Sequence, residues 1–239
     1  MSIILAIETS AELASCALLH GQQLLTRETA GVRSHSQSIL PMVQALLKQA
    51  GIGLAQVDAL AFGAGPGSFT GVRTACGVAQ GLAYGANLPV LPLVTLAAMA
   101  EAARARTGAD NVLAVLDARM GEVYWAQYRY DGGWIEVVAP TLSAPQDVAP
   151  LAADGLQACG NGFIEYAEAL SAQPFAQGAL TDVAPHAREL AQLAVGALAA
   201  GQGVAAAQAQ PIYLRNKVAY TSAERQAINA SKTEFKAGQ

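Results

Sequence analysis

The sequence predicts an α/β protein made of two tandem βββαβα units, each a mixed sheet flanked by helices. Three observations carry that expectation. Short apolar runs alternate with stretches of helical periodicity over most of the length. The order of elements read from Ile3 to Arg106 starts again at Val112, with little identity between the two halves. Finally, 53% of the 239 residues are hydrophobic and only 13% are charged, ample material for a core in each half.

In the first unit, Ile3 to Ile7 reads as a buried strand ended by the polar turn Glu8-Thr9-Ser10. Residues 15–20 and 23–29 follow as strands joined by a tight hairpin at Gly21. Ser34 or Ser36 offers a cap for a first helix, in which Ile39, Leu40, Val43, Leu46, Leu47 and Ala50 recur at helical spacing before Gly51 ends it. Pro41 is tolerable there if it falls within the first turn or so, where it removes no helical hydrogen bond. Residues 57–62 form a fourth strand, 70–84 a second helix, 89–94 a fifth strand and 95–106 a third helix.

The second unit repeats this order. Residues 112–116, 122–130 and 134–139 are strands, the last two joined by the turn Asp131-Gly132-Gly133. A helix near 146–153, a strand at 156–159, a helix at 163–170 and the longest helix, at 185–200, complete it. The expected organisation is therefore one unit over residues 1–107, a second over 108–218, and a tail at 219–239 poor in large apolar residues.

Composition excludes several classes. A net charge of −4 supplies no overall basic field for nucleic acid. Cys16, Cys76 and Cys159 are widely separated and odd in number, so neither a zinc knuckle nor a disulfide framework is indicated. No run approaches the roughly 18 apolar residues of a membrane helix. No basic-then-apolar leader opens the chain, which points to a cytoplasmic protein.

The stretch with most chemical content is Phe62 to Arg73, Phe-Gly-Ala-Gly-Pro-Gly-Ser-Phe-Thr-Gly-Val-Arg. A strand, a glycine loop and a helix start are the ingredients of an anion cradle. The loop nevertheless lacks the lysine of a P-loop, and Thr70 breaks the dinucleotide spacing. A tight structural turn capped by Ser68 or Thr70 explains it equally well. In the helix that follows, Gly77, Gly81 and Gly85 recur every four residues. Each costs about 1 kcal/mol relative to alanine, so another backbone is expected close to that stripe, from this chain or from another.

Gly65 to Arg73 occurs together with Ile-Glu-Thr-Ser at Ile7 to Ser10 and His-Ser-Gln at His35 to Gln37. It also accompanies Asp-Ala-Arg-Met-Gly-Glu-Val-Tyr at Asp117 to Tyr124 and Pro-Ile-Tyr-Leu-Arg at Pro211 to Arg215. In this combination the chain resembles the bacterial TsaB (YeaZ) family from residue 1 to about residue 217. The resemblance implies a fold of the actin/Hsp70/sugar-kinase (ASKHA) type and a non-catalytic subunit without cofactor. It implies pairing with TsaD through the two helices of the first unit, in an assembly with the ATPase TsaE. That assembly transfers threonylcarbamoyl to N6 of adenosine 37 in tRNAs reading codons that begin with A. A homodimer is expected when TsaD is absent, and contact with tRNA is expected to be indirect or weak.

On this basis the partner face is expected at His35, Ile39, Met42, Val43, Leu46, Phe69, Thr70, Arg73, Thr74, Gly77, Gln80 and Gly81. A vestigial nucleotide or anion site is expected at Glu8, Thr9, Ser10, Gly65, Gly67, Ser68 and Asp117. An active kinase or ATPase of the same fold is the alternative, with its nucleotide between the units near Glu8, Asp117 and the glycines of Gly160-Asn161-Gly162. A metal site is not expected. His20, His35 and His186 are scattered, and Ile39 stands one helical turn after His35 where a second ligand would be needed. Relatives of the family have been described as proteases, yet Ser10, Ser36 and Ser68 have no base in reach of any recognisable motif.

Overall fold

A computed structural model describes residues 2–30 and 35–215; the cap candidate Ser34 and the expected tail at 219–239 lie outside them. The chain opens with an antiparallel meander, β1 (Ile3–Glu8), β2 (Leu13–His20) and β3 (Gln23–Ala30). Helix α1 (His35–Ala50), strand β4 (Ala59–Gly65), helix α2 (Phe69–Ala86), strand β5 (Val90–Val94) and helix α3 (Thr95–Thr107) follow. The first sheet has the order β3-β2-β1-β4-β5, with β4 parallel to both β1 and β5.

The second sheet contains β6 (Asn111–Asp117), β7 (Val123–Tyr130), β8 (Trp134–Ser143) and β9 (Leu156–Cys159), in the order β8-β7-β6-β9. Two single-turn helices, α4 (Gly162–Glu165) and α5 (Ala167–Leu170), and the longer α6 (Ala187–Ala199) complete the fold.

The two faces of the first sheet differ in side-chain size. Leu5, Ile7, Leu60 and Phe62 point to the side of α1 and α2, where they meet Ile39, Val43, Leu46, Ala75 and Ala79. Ile4, Ala6, Ala59 and Ala61 alternate to the other side. There, small strand residues let the alanines of α6 (Ala187, Ala191, Ala194 and Ala197) approach closely. Helix α6 thus packs on the first sheet although it follows the second in sequence. Helix α3 turns Leu96, Met99, Ala100 and Ala103 to the second sheet, and Ala98 to the core shared by α6 and the first. The two sheets are tied by helices that cross between them.

Several expectations need correction. Residues 146–153 form no α-helix, only a 3-10 turn at Pro145–Asp147. Pro150 cannot donate within a helix. The buried Gln127 side chain also takes both backbone groups of Leu151, donating to its carbonyl at 3.0 Å and accepting from its N–H at 2.8 Å. The helix expected at 163–170 breaks at Tyr166, whose φ of −125° is not helical. Among the described residues the longest helix is α2, with 18 residues, whereas α6 has 13. Pro185 stays outside α6 because His186 is extended and caps it, its Nδ1 accepting from the Arg188 N–H at 2.9 Å. Ser36 lies inside α1 rather than capping it, and Pro41 falls in the second turn. The carbonyl that Pro41 leaves without a helical donor belongs to the exposed Gln37, where water can serve it.

Candidate functional site

The glycine loop and the turn after β1 interlock. Ser68 N–H donates to the Ser10 carbonyl at 2.7 Å, and Thr9 Oγ1 donates to the Gly71 carbonyl at 2.7 Å. A side chain at Gly71 would collide with the Thr9 carbonyl, one at Gly67 with Ser10, and one at Gly63 with the Glu8 carboxylate. Gly65 is held at φ 107°, a region side chains rarely adopt, with the Ile212 carbonyl against it. Ser68 caps α2 by accepting from the Gly71 N–H at 3.4 Å. The concavity that phosphate oxygens would occupy in an anion cradle is therefore filled by Thr9 and Ser10 of the same chain.

The residues expected for an anion site separate accordingly. Glu8, Thr9 and Gly65 are buried, outside the lining of the cavity that the other expected residues share. Glu8 accepts from the Ser10 N–H, with Thr95 Oγ1 at 3.4 Å from its other oxygen. Its burial pushes its pKa up, against the lowering effect of these hydrogen bonds. Ser10, Gly67, Ser68 and Asp117 do meet, around a cavity of about 430 Å³ between the two sheets. Asp117 is already committed there. It accepts from the Arg119 N–H at 2.7 Å and from Tyr166 Oη at 2.8 Å, and it pairs with the Arg119 guanidinium at 3.1 Å. Burial first, then that hydrogen bond to Asp117, lift the Tyr166 hydroxyl to about 12. Gly160 and Gly162, the loop of the kinase alternative, lie where any side chain would strike Val115 of β6. Asn161 Oδ1 accepts from the Asp117 N–H at 2.9 Å.

Helices α1 and α2 place the residues expected for the partner face on different sides. His35, Ile39, Met42, Val43 and Leu46 form the inward face of α1 and are buried in the chain's own core. Their helical spacing marks a core-facing stripe, which sequence periodicity cannot distinguish from a partner-facing one. The outward face carries Leu40, Pro41, Gln44, Ala45 and Lys48 instead. On α2, Thr70, Arg73, Gly77 and Gly81 are exposed, and nothing lies within 4 Å of where a Cβ at Gly77, Gly81 or Gly85 would stand. The close internal neighbour of this helix meets Gly71, on its other side. Leu40, read from sequence as part of the apolar period of α1, is 45% exposed on this surface, as is Tyr84 at 85%, which the partner face expected from sequence did not include.

Gln80, Phe69 and Thr74 have internal tasks. Gln80 Nε2 donates to the Ala209 carbonyl at 2.8 Å, which also accepts from Cys76 Sγ at 3.4 Å. Phe69 packs against Tyr213 and the Arg73 guanidinium. Thr74 Oγ1 donates back to the Thr70 carbonyl at 2.9 Å. The first two contacts involve residues 209–215, an extended strap whose role sequence reasoning missed. Ile212 N–H donates to the Ala64 carbonyl at 2.7 Å. Arg215 then reaches the turn after β6. It donates to the carbonyls of Ala118 and Arg119 at 2.8 and 3.1 Å and pairs with Glu122 at 2.6 Å. Arg119 and Met120 of that turn have φ of 59° and 61°, unfavourable for side-chain-bearing residues. The alternation of apolar, aromatic and basic residues in Pro-Ile-Tyr-Leu-Arg was the available signal.

Among the described residues, no group of three or more His, Cys, Asp or Glu is placed to hold a metal, and no helix is long and apolar enough to cross a membrane. His35 Nε2 lies 3.0 Å from the Glu12 carbonyl, and His186 Nε2 lies 3.1 Å from Glu28.

The family model described as TsaD, tRNA N6-adenosine threonylcarbamoyltransferase, matches residues 19–236. The tRNA threonylcarbamoyladenosine biosynthesis protein TsaB of Haemophilus influenzae is 42% identical over 231 residues, 91% of this chain and 95% of that protein. Its namesake from Escherichia coli is 39% identical over 228 residues, 91% and 96% of the two chains. The solved structure of YeaZ from Pseudomonas aeruginosa is 44% identical and superposes with a TM-score of 0.83, covering 90% of this chain and 100% of that one. Another, with the same figures, is described as an uncharacterized protein with similarity to peptidase YEAZ from Pseudomonas aeruginosa. The chain therefore belongs to the TsaD-type family and, within it, to the TsaB (YeaZ) family, with a fold of the ASKHA type.

Proposed function

We propose that this protein takes part in tRNA threonylcarbamoyladenosine biosynthesis as a non-catalytic subunit. It binds TsaD through the exposed faces of α1 and α2, and so supports transfer of threonylcarbamoyl to N6 of adenosine 37, with TsaE in the same assembly. The single observation that carries the reading is the open glycine ridge of α2. Gly77 and Gly81 weaken the helix by about 1 kcal/mol each relative to alanine. Among the described residues, no internal neighbour uses the room they leave. A helix of another chain, approaching backbone to backbone, would use it. Without TsaD, the same face would pair with a second copy about a two-fold axis.

The non-catalytic part of the reading rests on committed groups. Glu8 is sealed beneath the glycine loop, the Asp117 carboxylate is occupied by Arg119 and Tyr166, and His35 and His186 bond elsewhere. A peptidase or a kinase would need one of these free to act as base or to organise a metal. The cavity beside Asp117 keeps the kinase reading testable, since micromolar ATP affinity and turnover by the isolated chain would favour it.

The structure makes the interface test clean. A leucine at position 77 or 81 points into open space in this chain, so Gly77→Leu and Gly81→Leu should leave its melting and circular dichroism unchanged or improved. The same variants should lose co-purification with TsaD and stimulation of threonylcarbamoyl transfer in a reconstituted reaction. Full binding and transfer by both variants would sink the interface assignment.

A further inference from the structure

Arg73 stands on the same ridge as Gly77 and Gly81, one helical turn before the first and two before the second. Its guanidinium lies 3.6 Å from the centre of the Phe69 ring and 5.5 Å from that of Tyr213, and its Nε donates to Tyr213 Oη at 2.8 Å. Two aromatic rings and a hydrogen bond thus hold a long side chain in one place on an exposed surface. Arg104, Arg106, Arg119 and Arg215 each meet a carboxylate of this chain. Arg73 meets none among the described residues, so its terminal nitrogens are fixed in position without an anionic partner.

The charge around it is one-sided. Helices α1 and α2 contain Lys48 and Arg73 and not one aspartate or glutamate, in a chain whose net charge is −4. A second copy would bring its own Lys48 and Arg73 to the contact and, from these helices, no carboxylate. An acid-bearing surface would satisfy the guanidinium, which is suited to a planar, two-pronged pairing with a carboxylate.

We propose that Arg73, positioned by Phe69 and by Tyr213 of the C-terminal strap, is a specificity-determining residue of the α1–α2 face. It receives a carboxylate from a partner helix and favours an acidic partner over a second copy of this chain. The inference rests on the docking face of the proposed function and adds to it the partner's chemistry. It also gives the strap a role in recognition. Residues 209–215 return to α2 and deliver the Tyr213 ring that fixes the arginine, so the face is complete only after the chain has crossed both sheets.

The test measures dissociation constants of the full chain for TsaD and for itself at low and high salt, with Arg73→Gln, Arg73→Lys and Tyr213→Ala. Arg73→Gln should weaken TsaD binding about ten- to a hundredfold, the range of a central arginine, and should flatten its salt dependence. Arg73→Lys should recover the salt dependence but only part of the affinity. Tyr213→Ala should weaken binding with the charge intact. Self-association of Arg73→Gln should be as strong as that of the parent chain or stronger, since a like charge has been removed. Unchanged TsaD affinity in Arg73→Gln, or weakening with the salt dependence intact, would overturn the inference. If Gly77→Leu still abolished binding in that case, the docking face would stand and only its acidic partner would fall. Normal TsaD binding by Gly77→Leu and Arg73→Gln alike would remove the face and this inference with it.

Discussion

Glu8 sits at the end of β1 with its carboxyl sealed between Gly63, Ser10 and Thr95. Burial raises its pKa, so between the ordinary glutamate value of 4.5 and its raised value the folded chain binds more protons than the unfolded one. By linkage, stability falls as pH rises through that window, and the loss is complete above the raised value. Burial raises Glu189 too, and its contribution has the same sign. Glu8→Gln keeps an acceptor for the Ser10 N–H and removes the titration. It should flatten the decline of melting temperature with rising pH above 4.5, a slope thermal unfolding across a pH series will read. A variant that kept the full slope would move the titration to another group. At this scale the Ile-Glu-Thr-Ser motif was visible from sequence as a strand followed by a polar turn. That its acid is buried was not, because the covering residues, Gly63 and Thr95, come from β4 and α3.

Helix α2 has two kinds of glycine, and only their environments tell them apart. Gly71 is a contact glycine, with the Thr9 carbonyl where its Cβ would stand, whereas Gly77 and Gly81 face open space. Gly77→Ala and Gly81→Ala should each raise the stability of the isolated chain by about 1 kcal/mol, the helix-propensity difference. Gly71→Ala should lower it markedly, because backbone rather than a flexible side chain must give way. Denaturant titration of the three variants checks the contrast, and equal effects at positions 71 and 77 would refute it. The same ambiguity affected α1. Its apolar period announces a helix with one buried stripe, and His35, Ile39, Met42, Val43 and Leu46 fill that stripe. Which partner buries the stripe is a tertiary fact, and here it is the first sheet. The expected helix at 146–153 failed for a related reason: one side chain from β7, Gln127, outbid the helix for the backbone of Leu151.

Across the whole molecule, the two sheets are joined by α3, by α6 and by the strap at residues 209–215. Arg215 ends that connection and supports the Arg119–Met120 turn, donating to the Ala118 carbonyl and joining the Glu122 N–H on the Arg119 carbonyl. Arg215→Ala should cost about 1–3 kcal/mol, the range for unpairing partly buried polar groups, and is measurable by denaturant unfolding. A neutral result would show that water replaces the guanidinium without loss. The division at residues 107 and 108 separates the strands of the two sheets, but α3 and α6 each pack across it.

By itself the sequence determined the α/β class, the succession of strands along the chain in each half, the turns at Gly21 and Gly132, and the family. These follow from local periodicity, turn chemistry and long specific words. Tertiary structure alone decided what the Phe62–Arg73 stretch does, because Gly63, Gly67 and Gly71 answer to Glu8, Ser10 and Thr9, more than fifty residues earlier. It also decided which face of α2 is free and why Arg73 is held still, since Tyr213 comes from 140 residues further along. A residue's type and spacing set the face of its own element. Whether that face meets a core, a strap or solvent depends on chain segments brought together only by folding.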